Sequence, residues 1–244
     1  MNNNIGLVLI HGAGLNSSIW DELKSEINQT FLTIDFPNRK ISDNANQTLT
    51  FDDYVNSTIE QIKKWDTKNF IIVAHSIGAC VGLKVAEQFK NELKGFVAIG
   101  SVIPTNGSSF ISSLAFPQKM IMPIILKLFG TKPPKKSIEY ELCNDLTDEQ
   151  TTKITTEFTP EAKRLYTTKI NFSLPNTKRL YIQLTNDKSM PFALQNKMAK
   201  NLNANKIETI DTGHLPMLSK PKQLATSLSA FVKEIEQDDK TTNC

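Results

Sequence analysis

Short apolar runs alternate with segments of helical periodicity along most of this chain. The first four runs cover Ile5–Ile10, Phe31–Asp35, Phe70–Ala74 and Gly95–Ile99. Runs of this length that are apolar on both faces are typical of strands buried in a parallel sheet. Because strands that alternate with helices form such sheets, the pattern predicts an α/β fold with helices on both faces.

Polar residues mark the starts of the helices between these runs. Ser18, with Asp21 three residues later, is predicted to cap the first helix, and Thr50 with Asp53 the second. The helix after the third run is predicted over 77–89. A polar loop over 40–50 separates the second run from the second helix.

The alternation stops after the fourth run and resumes much later. Residues 104–175 hold no strand-like run, but Thr147 with Gln150 forms a capping box and another helix is predicted to start at Thr159. Since a structureless loop of this length is rare in a compact domain, we predict a helical lid over 104–175. The core domain would then comprise 1–103 and 176–244.

The last part of the chain restores the strand–helix order. Strands are predicted at Arg179–Leu184 and Ile207–Ile210, with a helix at Ser189–Leu202 between them and a final helix from Pro221. The predicted sheet is therefore mostly parallel and has about six strands.

Composition restricts the function classes. The 244 residues carry a net charge of +3 and 39% hydrophobic residues, which suits one globular domain and gives no argument for nucleic acid. The apolar stretch Phe110–Phe129 is broken by prolines and lysines, so no membrane span is expected. The cysteines, Cys80, Cys143 and Cys244, predict no disulfide framework, and with no secretory signal evident we expect a cytoplasmic protein.

The third apolar run leads directly into a serine. Ser76 lies between the buried run and the start of a helix, with the small residues Ala74 and Gly78 two positions before and after it. This is the pattern of a nucleophile elbow, G-x-S-x-G, except that Ala74 replaces the first glycine. The alternative is that Ser76 only caps the following helix.

A serine nucleophile needs a base and a group that orients the base. His214 follows the last strand, and Asp187 follows the strand before it, so both should reach the edge of the sheet where Ser76 lies. Asp211 is an alternative acid because it is close in sequence to His214, although a turn-forming role suits it better. His11 and His75 are predicted to be structural neighbours.

The loop after the first strand completes the predicted chemistry. An acyl-transfer intermediate needs two backbone donors for its oxyanion, and the N–H groups of Ala13 and Ile77 are predicted to supply them. Small residues in this loop let the backbone approach a substrate.

These motifs together resemble the esterase and hydroxynitrile-lyase branch of the α/β-hydrolases, close to the plant methylesterases. The matching stretches are LIHGAG at 9–14 leading to Trp20, AHSIG at 74–78, NDKSMP at 186–191 and DTGHLPMLSKP at 211–221. They cover nearly the whole chain outside the insertion. The resemblance implies the same triad and oxyanion donors, and we assign substrate contacts to Gly12, Gly14, Trp20, Leu215 and Met217.

The resemblance implies a serine hydrolase of carboxylesterase type that cleaves small to medium esters without a metal or organic cofactor. Hydroxynitrile lyases of this branch carry a threonine and a lysine where this chain has Gly12 and Leu215, which favours ester hydrolysis over lyase activity. A slow-turnover binding protein on the same fold remains an alternative, and the sequence leaves a homodimer open.

A remote alternative is a dinucleotide-dependent oxidoreductase. Gly12 and Gly14 follow the first strand, and Asp35 ends the next, as in a dinucleotide fingerprint. However, Ser17 occupies the third glycine position and a histidine precedes Gly12, so the match is incomplete.

Overall fold

A computed structural model describes residues 5–39 and 42–242. Six strands form one all-parallel sheet in the order β2-β1-β3-β4-β5-β6, which confirms the predicted α/β-hydrolase fold. The strands are β1 Gly6–Ile10, β2 Phe31–Ile34, β3 Phe70–His75, β4 Leu93–Ile99, β5 Lys178–Leu184 and β6 Lys206–Ile210.

The helices lie between and beyond these strands, and a 3₁₀ turn at Ser17–Trp20 leads into the first. They are α1 Asp21–Lys24, α2 Phe51–Lys63, α3 Gly78–Ala86, α4 Phe110–Ser113, α5 Gln118–Phe129, α6 Lys135–Leu142, α7 Asp148–Glu157, α8 Lys163–Thr167, α9 Phe192–Asn201, α10 Pro216–Ser219 and α11 Pro221–Thr242.

Alternate residues of the central strands enter two different apolar cores. On β3, Ile72 belongs to the core beneath α2, α3 and α9, whereas Ile71 and Val73 belong to the core beneath α1 and α11. All residues of β1 and β3 are buried. Both faces of the sheet are thus covered, which explains why these strands read as continuous apolar runs.

The predicted element boundaries differ from the structure mainly at helix starts. The capping boxes at Thr50 and Thr147 are present. At the first turn, however, Asn16 rather than Ser18 provides the cap, by accepting from the Ser18 N–H. The helix predicted from Thr159 starts at Lys163, because the backbone at Thr159 bonds instead to Gly14.

Residues 104–175, called the insertion below, contribute five helices, α4 to α8, and no strand to the sheet within the described residues. No helix in the described ranges is long and apolar enough to cross a bilayer. Cys80 and Cys143 are buried free thiols, while Cys244 and positions 40 and 41 of the predicted polar loop lie outside the described residues.

Candidate active site

Ser76 lies at the carboxyl end of β3, in the turn to α3. Its φ is 53°, in the left-handed region that residues other than glycine rarely adopt. The turn is tight, since a Cβ on Gly78 would lie 2.5 Å from the carbonyl oxygen of His11. Backbone strain held in place by its surroundings is characteristic of functional sites. The turn therefore has the geometry expected of a nucleophile elbow.

His214 and Asp187 form a buried pair at the same edge of the sheet. His214 Nδ1 lies 2.7 Å from Asp187 Oδ2, and both side chains are shielded from water. The other carboxylate oxygen accepts hydrogen bonds of 2.8 Å from the N–H groups of Ser189 and Met190. With Nδ1–H donating to the carboxylate, Nε2 is the ring nitrogen that can accept a proton.

The competing acid, Asp211, lies elsewhere. Its carboxylate accepts from the Thr185 hydroxyl and, at 2.7 Å, from the side-chain amide of Asn186, and it is exposed. Asp211 thus links two loops at the sheet edge, and Asp187 is the carboxylate that contacts His214.

His75 supports the backbone of His214. Its Nε2 lies 2.9 Å from the His214 carbonyl oxygen, and the two ring centroids are 4.6 Å apart. Burial, together with the electrostatic influence of the neighbouring His214 ring, holds the pKa of His75 well below 6.5. The ring is therefore neutral and donates from Nε2, which fits the structural role predicted for it.

The loop after β1 contacts the serine directly. A Cβ on Gly12 would lie 2.9 Å from the Cβ of Ser76, so only glycine fits there without displacement. Neither Ala13 N–H nor Ile77 N–H donates a hydrogen bond to any described residue. Two unpaired donors next to a serine are what stabilisation of an oxyanion requires.

His11 fixes this loop from below. Its Nδ1 lies 2.7 Å from the Gly12 carbonyl oxygen, and its Nε2 accepts from the Phe36 N–H at 3.2 Å. Burial, with the positive charge of Arg39, lowers the pKa of His11 to about 3. The neutral ring can therefore donate and accept at once.

The insertion holds the same loop from the other side. Glu161, fully buried, accepts from the Gly14 N–H at 3.0 Å and from Arg39 Nη2 at 2.7 Å on both of its oxygens. Burial raises the pKa of Glu161, and the Arg39 guanidinium opposes that rise. Gly14 has a φ of 77°, and a Cβ there would overlap the ring of Phe158 at 2.1 Å.

This arrangement argues against the dinucleotide alternative. The Glu161 carboxylate already accepts from the Gly14 N–H that would bind a pyrophosphate. Its negative charge would also repel an anion there. Asp35, the expected ribose ligand, instead accepts from Ser17 N and Oγ at 2.7 and 2.8 Å.

A second pair of insertion residues holds the loops of the acid and the base. Asp145 accepts from the Gly213 N–H at 2.6 Å and from the Thr212 hydroxyl at 2.8 Å. Its neighbour Asn144 donates to the Asn186 carbonyl oxygen at 3.0 Å. Both loops that carry the Asp187–His214 pair are therefore bonded to the insertion.

Ser76 and His214 both line a cavity of about 730 Å³ between the sheet edge and the insertion. The cavity is within the size range of small-molecule sites. Much of its wall is apolar and comes from the insertion, whereas Glu141 is an exposed carboxylate at its margin. The apolar contributors include Phe110, Met122, Leu126, Ile138 and Phe158.

The structure places the predicted substrate contacts differently with respect to the cavity. Gly12 lines the cavity, but Trp20, Leu215 and Met217 do not, because they are fully buried in the core beneath α1 and α11. Gly14 is also absent from the wall, since its N–H and carbonyl oxygen are bonded to the insertion.

Comparisons with known proteins agree with this architecture. The model of the alpha/beta hydrolase family matches residues 7–227. Two curated proteins of Arabidopsis thaliana each align over 93% of this chain and 96% of their own length: Methylesterase 7, 23% identical, and Alpha-hydroxynitrile lyase, 25% identical. A solved extracellular alpha/beta-hydrolase from a Paenibacillus species superposes with a TM-score of 0.80 at 21% identity, covering 91% of this chain and 96% of that one.

Proposed function

The chain belongs to the α/β-hydrolase family, and on that premise we propose that it is a serine carboxylesterase that cleaves small to medium esters. Ser76 is the nucleophile, His214 the general base and acid, and Asp187 the residue that orients His214. The N–H groups of Ala13 and Ile77 form the oxyanion hole.

The observation that carries this proposal is the buried 2.7 Å contact between His214 Nδ1 and Asp187, beside a cavity that Ser76 also lines. The contact fixes the ring tautomer in which Nε2 can take a proton from a hydroxyl. An imidazole oriented in this way, at a cavity that a serine in a strained turn also lines, is the arrangement from which nucleophilic acyl transfer can proceed.

The reaction proceeds in two halves. Ser76 Oγ attacks the ester carbonyl while its proton passes to His214 Nε2, and the oxyanion is held by the two N–H donors. The tetrahedral intermediate collapses, and His214 gives the proton to the departing alcohol. A water molecule, deprotonated by His214, then attacks the acyl-serine, which releases the carboxylic acid and restores Ser76.

The apolar cavity wall suits the hydrocarbon parts of an ester. Each oxyanion donor is expected to contribute about 3 kcal/mol to the transition state. Cyanohydrin cleavage, the reaction type suggested by the lyase relative, is the second candidate. It is disfavoured because Leu215, at the position of the lyase lysine, lies in the apolar core and offers no cation to the cavity.

The test is a panel of p-nitrophenyl esters from acetyl to decanoyl, combined with a fluorophosphonate probe and mass mapping of the labelled peptide. We expect the label on Ser76 and a loss of about 10⁶-fold in kcat for Ser76→Ala. A label elsewhere, or hydrolysis that survives Ser76→Ala, would overturn the assignment. Turnover far below about 1 per second on every ester would favour the binding-protein alternative.

A further inference from the structure

The outer face of α5 exposes a stripe of large apolar side chains. Met120, Ile124 and Leu128 follow one another at intervals of four residues and are 62%, 59% and 67% exposed, and Ile121 beside them is 48% exposed. Phe116, just before the helix, is 83% exposed. A contiguous apolar surface of this kind usually marks an interaction site.

This stripe does not line the candidate active site. On the same helix, Met122 and Leu126 face the cavity, whereas Met120, Ile121, Ile124 and Leu128 are not part of its wall. The helix is therefore apolar on two sides, one facing the cavity and one facing solvent. The solvent-facing side needs an explanation of its own.

The charges that the chain carries along and next to the stripe in sequence are all positive. No Asp or Glu occurs between Glu92 and Glu139, while this interval carries lysines in and after α5. Lys119 and Lys127 lie on the helix itself and are exposed. The other lysines that follow the helix are Lys132 and Lys135, which pair with Asp43 and Glu139, and Lys136.

We infer that the outer face of α5 docks on a lipid surface with anionic headgroups, with its apolar side chains among the acyl chains and its lysines at the headgroups. Amphipathic helices that lie in the membrane interface combine these two features. In this position the cavity, which the inner side of the same helix lines, would open near the interface.

The charge pattern favours this occupant over a second copy of the chain. A two-fold dimer would place the same patch against itself, and the lysines would then face lysines. The interval between Glu92 and Glu139 supplies no carboxylate to pair with them. An anionic lipid surface supplies negatively charged headgroups that complement these lysines.

Vesicle co-sedimentation tests this inference. We expect binding to vesicles of phosphatidylcholine with phosphatidylglycerol, weaker binding to phosphatidylcholine alone, and a decrease with added salt. Ile121→Glu combined with Ile124→Glu should lower partitioning at least about tenfold. Lys119→Gln and Lys127→Gln should each lower binding to the anionic vesicles about fivefold.

Ile207→Glu is the matched control, because Ile207 is 50% exposed but lies near the start of β6, at the other end of the sheet from Ser76. It should bind like the unchanged protein. Hydrolysis of a soluble short ester should persist in all these variants and reports that they fold. Ser76→Ala should also bind vesicles. A failure of the esterase assignment is thereby distinguished from a failure of the proposed lipid docking.

Three results would overturn the inference. The first is an absence of vesicle binding, or binding that the Ile121 and Ile124 substitutions leave unchanged. The second is self-association that these substitutions abolish, measured by light scattering, in a protein that ignores vesicles; this result would assign the face to a second copy. The third is binding of the outer face of α5 to an acidic protein, with no binding to lipid.

Discussion

Asp187→Asn is the sharpest test of the proposed triad, because both carboxylate oxygens of Asp187 accept from N–H donors. One oxygen faces His214 Nδ1 at 2.7 Å, and the other accepts the N–H groups of Ser189 and Met190 at 2.8 Å. An asparagine has one oxygen and one NH₂ group, so it cannot serve both sides.

The asparagine should place its oxygen toward the two backbone donors. Its NH₂ group then points at His214 Nδ1, which must accept instead of donate. The ring adopts the Nε2–H tautomer, and Nε2 can no longer take the proton of Ser76. In a comparable triad, this substitution lowers kcat about 10⁴-fold, which corresponds to about 5.5 kcal/mol in the barrier.

The assay is steady-state hydrolysis of p-nitrophenyl acetate at pH 7 and at higher pH, with circular dichroism to confirm folding. Asp211→Asn is the matched control, since among the described residues the Asp211 carboxylate accepts only from Thr185 and Asn186. We expect it to retain activity within a few fold. If Asp211→Asn were the more damaging change, or if Asp187→Asn kept most of the activity, the assigned acid would be wrong.

Three further predictions follow from buried or cavity carboxylates and a histidine. Glu161→Gln leaves Arg39 buried without its counter-charge, so urea unfolding should show a loss of about 3–5 kcal/mol; Glu157→Gln, which changes only an acceptor for Asn16, should cost much less, and equal losses would contradict the stabilising role of the Glu161–Arg39 pair. Because the pKa of His11 is about 3 in the folded protein and near 6.5 when unfolded, the unfolded state binds the extra proton, and stability should fall from about pH 6.5 toward pH 3 by up to about 1.4 kcal/mol per pH unit. In urea titrations, His11→Gln should flatten this slope, and an unchanged slope would refute the assignment. Although Glu141 is exposed as a residue, partial burial of its carboxyl group at the cavity raises its pKa, an effect that His214 opposes and Asp187 reinforces; Glu141→Leu should lower kcat/KM for esters with a cationic group about fivefold relative to neutral esters, and a uniform change would show no charge selection.

The parallel sheet could be predicted because each central strand is buried on both faces. The continuous apolar run Phe70–Ala74 is possible only where helices cover both sides of a strand, and β3 is such a strand. The serine, histidine and aspartate could be located for a related reason. Parallel strands bring their carboxyl ends to one edge of the sheet. Motifs that each follow a strand are therefore expected to lie near one another at that edge.

The structure departs from the sequence pattern where tertiary contacts overrule local signals. Trp20 and Met217 lie within motifs shared with the family, but sequence does not reveal that they point into the core. Thr159 has the sequence pattern of a helix cap. Its N–H, however, donates to the carbonyl oxygen of Gly14, which lies 145 residues earlier in the sequence. No local signal could separate Glu161 from a solvated surface carboxylate, because its partners come from the loops after β1 and β2.

The insertion is better understood as a structural part of the candidate site than as a cover over it. Asp145 bonds the loop that carries His214, and Glu161 bonds the loop that carries Ala13. Glu161 is buried with its donors and is costly to separate from them, since each unpaired group would then lack both protein and water partners. A motion that lifted all of the insertion would break both sets of bonds and loosen the base and the oxyanion donors together. Access to the cavity therefore requires a smaller movement, one that leaves the bonds of Asp145 and Glu161 intact.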